Sequence, residues 1–144
     1  MIRNNQQDRQ KGFILPRGRA LVVDQDGKDL GSYAGVLQRM GFEVKTFSNY
    51  KDAARCLEEE SVDFVFVNQG SAEFEARGVV QCALARNRRT PVVVLTRSVD
   101  IGCYLEAMQL GAVDYVEKPL APAEVEHLVT THSQPCALGV RARV

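Results

Sequence analysis

The feature that most constrains this chain is a series of short apolar runs at regular intervals along its 144 residues. The runs cover residues 20–23, 44–47, 64–67, 92–95 and 113–116, and polar residues interrupt the second and the last of them. The other three are continuous and rich in valine. Such runs are typical of strands that are buried on both faces of a parallel sheet.

Each apolar run is followed by a segment whose apolar residues recur at helical spacing. The predicted helices span residues 27–40, 50–60, 77–87, 100–110 and 121–132. Gly41 and Gly111 directly follow two of these segments, in the position where glycine commonly ends a helix. Five repeats of strand and helix predict a doubly wound α/β sheet with right-handed crossovers. We expect one domain over residues 19–132, a flexible N-terminal arm over 1–18 and a flexible C-terminal tail over 133–144.

Composition narrows the classes of function. Lys plus Arg and Asp plus Glu each number 18, so the chain lacks the basic field of a nucleic-acid or membrane-surface binder. The four cysteines form no C-x-x-C pair and there are two histidines, so we expect no zinc site. No apolar run approaches the ~18 residues of a membrane span, and the polar N-terminus has no signal-peptide core. These features predict a cytoplasmic protein with reduced thiols.

Polar residues follow the predicted strands at their carboxyl ends, where open parallel sheets bind ligands. They are Asp24, Gln25 and Asp26 after the first strand, Asn68 after the third, Thr96 and Arg97 after the fourth, and Lys118 after the fifth. We interpret Asp26 as the N-cap of the first helix. The remaining carboxylate, amide, hydroxyl and ammonium groups should converge at one edge of the sheet.

Three stretches carry a resemblance to a known family. They are "RALVVDQD" at residues 19–26, "PVVVLT" at 91–96 and "GAVDYVEKPL" at 111–120. Together they resemble the receiver domain of bacterial two-component response regulators of the chemotaxis type, over about residues 19–132. The resemblance implies a five-stranded parallel sheet of the flavodoxin-like (βα)5 fold, with strand order 2-1-3-4-5.

The resemblance also implies a phosphotransfer site. Receivers hold Mg²⁺ with an acidic pair after the first strand and accept phosphate on an aspartate that ends the third. A hydroxyl and a lysine bind the phosphoryl oxygens. By position, Asp24 matches the first acid, Thr96 the hydroxyl and Lys118 the lysine. Tyr115 matches the aromatic residue whose rotation reports activation, and the bond between Lys118 and Pro119 is implied to be cis.

The chain departs from the family pattern at three positions of that site. Asn68 stands at the phosphoacceptor position, Gln25 replaces the second acid, and Arg97 follows Thr96 where relatives carry a small residue. An amide is a poor nucleophile, and Mg²⁺ prefers carboxylate ligands. Asn also suits an ordinary turn, which is compatible with a lost acceptor.

We therefore expect a pocket that balances its own charges. Asp24 should pair directly with Lys118, with Asn68 hydrogen-bonded between them, and Arg97 should add to the positive side. Phosphorylation and enzymatic activity are not expected. Mg²⁺ binding should be weak or absent, with Asp24 as a weak candidate ligand.

The fourth predicted helix, "IGCYLEAMQL" at residues 101–110, is apolar at seven of its ten positions. A stripe of Cys103, Ala107 and Leu110 can face the sheet, which leaves Tyr104 and Met108 as anchors for a partner. Deep burial of the whole helix is an equal alternative. In receivers this helix, the fifth strand and the fifth helix form the output and dimerisation face. The implied interaction face thus contains Tyr104, Met108 and Tyr115.

The favoured hypothesis is a phosphorylation-independent protein-interaction module of two-component (phosphorelay) signalling. Its partner would be a histidine kinase, an output protein or a second copy of itself, with no nucleic acid or membrane bound by this chain. One alternative is a sensor of a small anion or metabolite gripped by Thr96, Arg97 and Lys118. Another is the receiver fragment of a longer transcriptional regulator. An enzyme lacks support, because no Gly-rich phosphate loop or Ser/Cys–His pair is evident.

Overall fold

Five strands and five helices alternate along residues 17–133, the part of the chain that this computed structural model describes. The strands are β1 (Gly18–Val23), β2 (Phe42–Phe47), β3 (Phe64–Asn68), β4 (Val92–Thr96) and β5 (Asp114–Glu117). The helices are α1 (Gly27–Arg39), α2 (Tyr50–Glu59), α3 (Arg77–Arg86), α4 (Ile101–Leu110) and α5 (Pro122–His132). Each element lies within about two residues of its predicted bounds, a margin usual for helix and strand ends.

The strands form one parallel sheet in the order β2-β1-β3-β4-β5, which confirms the predicted fold and strand order. Because all strands are parallel, their carboxyl ends share one edge of the sheet. The order reverses where β1 pairs with both β2 and β3. Loops leaving β1 and β3 turn to opposite faces there, and a crevice opens between them.

Alternating strand residues divide the core into two layers. On one face Leu21, Val65 and Val94 pack under α2, α3 and α4. On the other face Phe66 and Leu95 pack under α1 and α5. The continuous valine-rich runs are thus explained by a central sheet that is covered on both faces.

Local signals fix the helix ends next to the crevice. Asp26 caps α1, since its side chain accepts hydrogen bonds from the backbone N–H groups of Lys28 and Asp29. Asp100 caps α4 through the N–H of Cys103. Gly111 ends α4 at φ +114°, a conformation that favours glycine. The peptide bond between Lys118 and Pro119 is cis, as the resemblance implies.

Several predictions fall wholly or mostly outside the described residues. The flexible arm and tail, and Cys136, are in that group and stay predictions. Cys56, Cys82 and Cys103 lie on α2, α3 and α4 and are free thiols. Over residues 17–133, none of the helices has the length and apolar character needed to cross a membrane.

Candidate functional site

A cleft of about 660 Å³ opens at the carboxyl edge of the sheet. Most of the predicted strand-end residues line it, namely Asp24, Gln25, Asp26, Asn68, Arg97 and Lys118. The lining is completed by Tyr50, Gly70, Ser71, Glu75 and Ser98, most of which come from the β3–α3 loop and the start of α2. The fold thus brings the predicted polar residues together, with Thr96 as the exception described below.

Lys118 lies at the bottom of the cleft in a double ion pair. Its Nζ is 2.8 Å from Asp24 Oδ2 and 2.9 Å from Asp29 Oδ2, and its side chain is 1% exposed. The direct pair between Asp24 and Lys118 is therefore present as predicted. The other oxygen of Asp24 accepts a hydrogen bond of 3.0 Å from the N–H of Asp26. Both carboxylate oxygens of Asp24 are thus engaged within the protein.

Arg97 extends the ion-pair network to the mouth of the cleft. Its Nη2 lies 2.6 Å from Asp29 Oδ2 and 3.2 Å from Asp26 Oδ2. The backbone N–H groups of Asp29 and Lys28, together with Arg97, lower the pKa of Asp26 from its ordinary value. One oxygen of Asp29 therefore bridges Lys118 and Arg97, so that each cation contacts two carboxylates.

Asp29 was not predicted from the sequence as a residue of this site. A weak signal was available, because acidic residues are favoured in the first turn of a helix and Asp29 lies three residues after the N-cap Asp26. Helix geometry turns Asp29 back over the end of β1, where it reaches Lys118 and Arg97.

The prediction that Asn68 bonds between Asp24 and Lys118 is wrong. Asn68 Nδ2 instead donates to Gln25 Oε1 at 3.0 Å. The Tyr50 hydroxyl lies 3.2 Å from the same Gln25 oxygen and 2.8 Å from the Asn68 backbone carbonyl. Because two carboxylates already satisfy Lys118, the neutral amides pair with each other. Burial is the main cause of a raised pKa at Tyr50.

Thr96 does not face the cleft. Its buried hydroxyl donates to the carbonyl of Ser98 at 2.8 Å and accepts from the N–H of Ser98 at 3.0 Å. A short polar side chain commonly closes a turn on its own backbone in this way. The hydroxyl is therefore engaged in the β4–α4 turn instead of pointing at a ligand.

Tyr115 is held inward by Gln69, a second residue that was not predicted from the sequence. The Tyr115 hydroxyl donates to Gln69 Oε1 and accepts a 3.0 Å hydrogen bond from the N–H of Asp100. Gln69 is 2% exposed, and its amide nitrogen donates to the carbonyl of Ser71 at 3.3 Å. A buried polar group needs such partners. The only sequence signal was a glutamine directly after a buried strand.

The loop between β3 and α3 is closed by its own side chains. Glu75 accepts from the N–H of Ser71 at 2.6 Å and from the Ser71 hydroxyl at 2.8 Å. The hydrogen bond from the Ser71 N–H is the main cause of a lowered pKa at Glu75. Phe74 is buried although its φ of +58° lies in the region that favours glycine. The loop therefore has a defined shape beside Gln69.

Helix α4 buries one side and exposes the other. Cys103 and Ala107 are buried against the sheet, and Leu110 and Met108 are half-buried. The exposed fractions are 54% for Val99, 69% for Ile101, 42% for Tyr104 and 51% for Leu105. The Tyr104 ring meets the Tyr115 ring edge-on, with centroids 5.6 Å apart. The structure therefore favours the exposed interpretation of this helix over deep burial, but Met108, one of its two predicted anchors, packs partly against the core instead of being exposed.

Potential metal ligands are sparse. Among residues 17–133, no group of three or more His, Cys, Asp or Glu side chains is arranged to hold a metal ion. The aspartates of the cleft are directed at Lys118 and Arg97, whereas the Glu75 carboxylate is hydrogen-bonded to Ser71. The cleft therefore contains cations that are paired with carboxylates of the same chain, and two side-chain amides that are hydrogen-bonded to each other.

Comparisons with known proteins agree on one family. The sequence model of the response regulator receiver domain matches residues 20–130. The transcriptional regulatory protein PrrA of Mycobacterium tuberculosis is 31% identical over 74% of this chain and 46% of its own length. The response regulator protein PilR of Pseudomonas aeruginosa is 27% identical over 81% of this chain and 26% of its own length.

Solved structures show the same fold. A CheY-like receiver domain protein from Methanospirillum hungatei superposes with a TM-score of 0.74 at 19% identity, covering 82% of this chain and 93% of that one. The curated relatives are longer proteins, and the matched region spans less than half of their length.

Proposed function

Because the chain belongs to the response regulator receiver domain family, we propose that it is an atypical receiver that acts through protein contacts without being phosphorylated. As a receiver domain, it is a part of two-component signalling, and its curated relatives are transcriptional regulators. A histidine kinase or an output protein is the expected kind of partner, and a cytoplasmic location stays a prediction.

The observation that carries the proposal is the chemistry at the end of β3. Phosphoryl transfer to a receiver needs an anionic oxygen aligned with the phosphorus atom. Asn68 supplies a neutral amide there, and its side-chain nitrogen donates a hydrogen bond to Gln25. Lys118, which the resemblance assigns to the phosphoryl oxygens, is bound to Asp24 and Asp29. A phosphoryl group would thus find neither a nucleophile nor a free ammonium.

The same residues do not fit the magnesium ion that the family implies. Mg²⁺ requires near-octahedral oxygen ligands and is commonly held by one or two carboxylates. Asp24 is paired with Lys118, and Asp26 caps α1 while also pairing with Arg97. Gln25 Oε1 already accepts from Asn68. We therefore propose weak or absent Mg²⁺ binding, and no step of the function requires the ion.

Of the two alternative functions, the contacts of the cleft oppose the first, and the length of the curated relatives agrees with the second. A small-anion sensor would need free cations, whereas Lys118 and Arg97 each contact two carboxylates. An anion would have to displace Asp29, which opposes binding. A receiver fragment of a longer transcriptional regulator agrees with the greater length of the curated relatives. Under that alternative the receiver is one part of a longer regulator, and the proposed chemistry of its site is the same.

Incubation with acetyl phosphate and Mg²⁺, followed by intact mass measurement, tests the proposal. We expect no added phosphoryl mass over a time in which a phosphorylatable receiver in the same tube is labelled. The matched control is Asn68→Ala, which removes the amide at the same position. A phosphoryl mass on the original chain that disappears in Asn68→Ala would overturn the proposal.

A further inference from the structure

An exposed apolar surface covers the outer side of α4 and the residue Val99 just before it. We call it the α4 face and define it by Val99, Ile101, Tyr104 and Leu105, each of which is at least 42% exposed. Ile101 and Leu105 are four residues apart, so they lie on one side of the helix. That side is opposite to the buried Cys103 and Ala107. A contiguous patch of large apolar residues on a surface helix commonly marks an interaction site.

Acidic residues predominate in the segment that contains the α4 face, and the nearby Arg97 is already paired with Asp26 and Asp29. Residues 99–133 contain six acidic residues and one lysine, a formal net charge of −5 with neutral histidines. The lysine, Lys118, is buried in its ion pairs. Glu106 is paired with Arg77, whereas Glu117 and Glu126 form no ion pair within the described chain. The exposed surface of this segment is therefore acidic.

Glu117 lies beside the apolar patch. It shares a face of β5 with Tyr115, because residues two apart on a strand point the same way. The Tyr115 ring in turn contacts the Tyr104 ring of the α4 face. Glu117 is exposed. An acidic side chain thus borders the apolar surface on the β5 side.

This combination of charge and apolar area indicates which partner fits. A symmetric pairing of two copies through the α4 face would bring two acidic segments together, and like charges in an interface are unfavourable. Anionic lipids and nucleic acid would be repelled for the same reason. A protein segment with apolar and basic side chains would meet both features of the surface.

We propose that the α4 face binds a basic amphipathic protein segment in preference to a second copy of this chain. The proposal rests on the proposed function in that it names the partner chemistry of the interaction module. Apolar side chains of the partner would cover Ile101 and Leu105, and its Lys or Arg side chains would lie against Glu117.

The test uses the full chain and two synthetic helical peptides. One carries leucines along one side and lysines on the other, and its twin has glutamate in place of every lysine. Fluorescence anisotropy should show about ten-fold or tighter binding of the lysine peptide, which corresponds to ~1.4 kcal/mol. Added salt should weaken that binding, since exposed charges are screened. Sedimentation should find the chain monomeric at the same concentration.

Matched variants locate the site. Ile101→Ser combined with Leu105→Ser should abolish peptide binding, and Glu117→Lys should weaken it about three-fold or more, in the range of a rim charge. Glu58→Lys, the same charge change at an exposed position on α2, should leave affinity within about two-fold. The changed side chains are exposed, so the variants should keep the unfolding midpoint of the original chain.

Three results would overturn the inference. They are equal binding of both peptides, equal effects of Glu117→Lys and Glu58→Lys, and a dimer that the two serine substitutions dissociate. Failure of the proposed function is distinguishable, because it appears as phosphorylation by acetyl phosphate. An unphosphorylated chain that fails to bind the lysine peptide contradicts only the inference about the α4 face.

Discussion

At the scale of single residues, Asn68 decides the chemistry together with its neighbours. Asn68 is hydrogen-bonded to Gln25, and Arg97 forms ion pairs with Asp26 and Asp29. We predict that Asn68→Asp alone does not restore efficient phosphorylation, because the second acid is still missing and Lys118 stays paired. Labelling by acetyl phosphate, followed by intact mass, measures the outcome.

A triple variant is the control for this reversion. Asn68→Asp with Gln25→Asp and Arg97→Ala supplies the missing acid and a small residue after Thr96. It should be labelled faster than the single variant. Equal labelling of the two would mean that Gln25 and Arg97 have no part in blocking the site.

The hydrogen bond between Gln69 and Tyr115 gives a second prediction at this scale. Gln69→Leu and Tyr115→Phe should each lower the free energy of unfolding by about 1–3 kcal/mol, because each leaves a buried polar group unpaired. The double variant should lose less unfolding free energy than the two single variants together, by about 0.5 kcal/mol or more, because both substitutions remove the same contact. Urea unfolding of the four proteins gives the coupling free energy.

A distant tyrosine serves as the reference for that cycle. The Tyr33 hydroxyl accepts from the N–H of Leu120 in the opposite core layer. Gln69→Leu combined with Tyr33→Phe should therefore be additive. Additive costs for Gln69 and Tyr115 as well would show that Gln69 does not hold the tyrosine.

At the scale of elements, α1 contains glycines that no close contact explains. At Gly31, a Cβ would have no heavy atom within 4 Å. We predict that Gly31→Ala raises the free energy of unfolding by roughly 0.5–1 kcal/mol, because alanine loses less backbone freedom in a helix. A higher urea midpoint with an unchanged slope would show the effect.

Gly111, which ends α4, is the opposite case. Its φ is +114° and a Cβ would lie 3.2 Å from Leu84 Cδ1. Gly111→Ala should therefore destabilise the protein by more than Gly31→Ala stabilises it. The two glycine-to-alanine substitutions should change the free energy of unfolding in opposite directions. The comparison therefore separates the effect of backbone strain from that of helix propensity. Destabilisation by Gly31→Ala would point to an unrecognised need for glycine in α1.

Much of the fold was predictable at the scale of elements, because the spacing of apolar residues along the sequence indicates which side chains are buried. The valine-rich run 92–95 predicts a strand that is covered on both faces, and β4 is buried throughout. The pair Asp24 and Lys118 was predictable because strand ends meet at one edge of the sheet. Asp29 and Gln69 were missed because their roles depend on helix phase and loop shape, which spacing alone does not fix.

At the scale of the whole molecule, the two core layers share a single sheet. Val80 on α3 belongs to one layer and Val129 on α5 to the other, and both are fully buried. Strands β1, β3 and β4 contribute side chains to both layers. A loss of packing in either layer should therefore weaken one cooperative unit, as in other small domains.

Val80→Ala and Val129→Ala test that cooperativity. Each should lower the free energy of unfolding by about 2 kcal/mol, from two lost methyl groups and a small cavity. The double variant should show the sum to within about 0.5 kcal/mol, because the sheet separates the sites. Far-UV circular dichroism and tyrosine fluorescence should follow one transition in every variant. Separate transitions, with each substitution moving one of them, would mean that the two layers unfold independently.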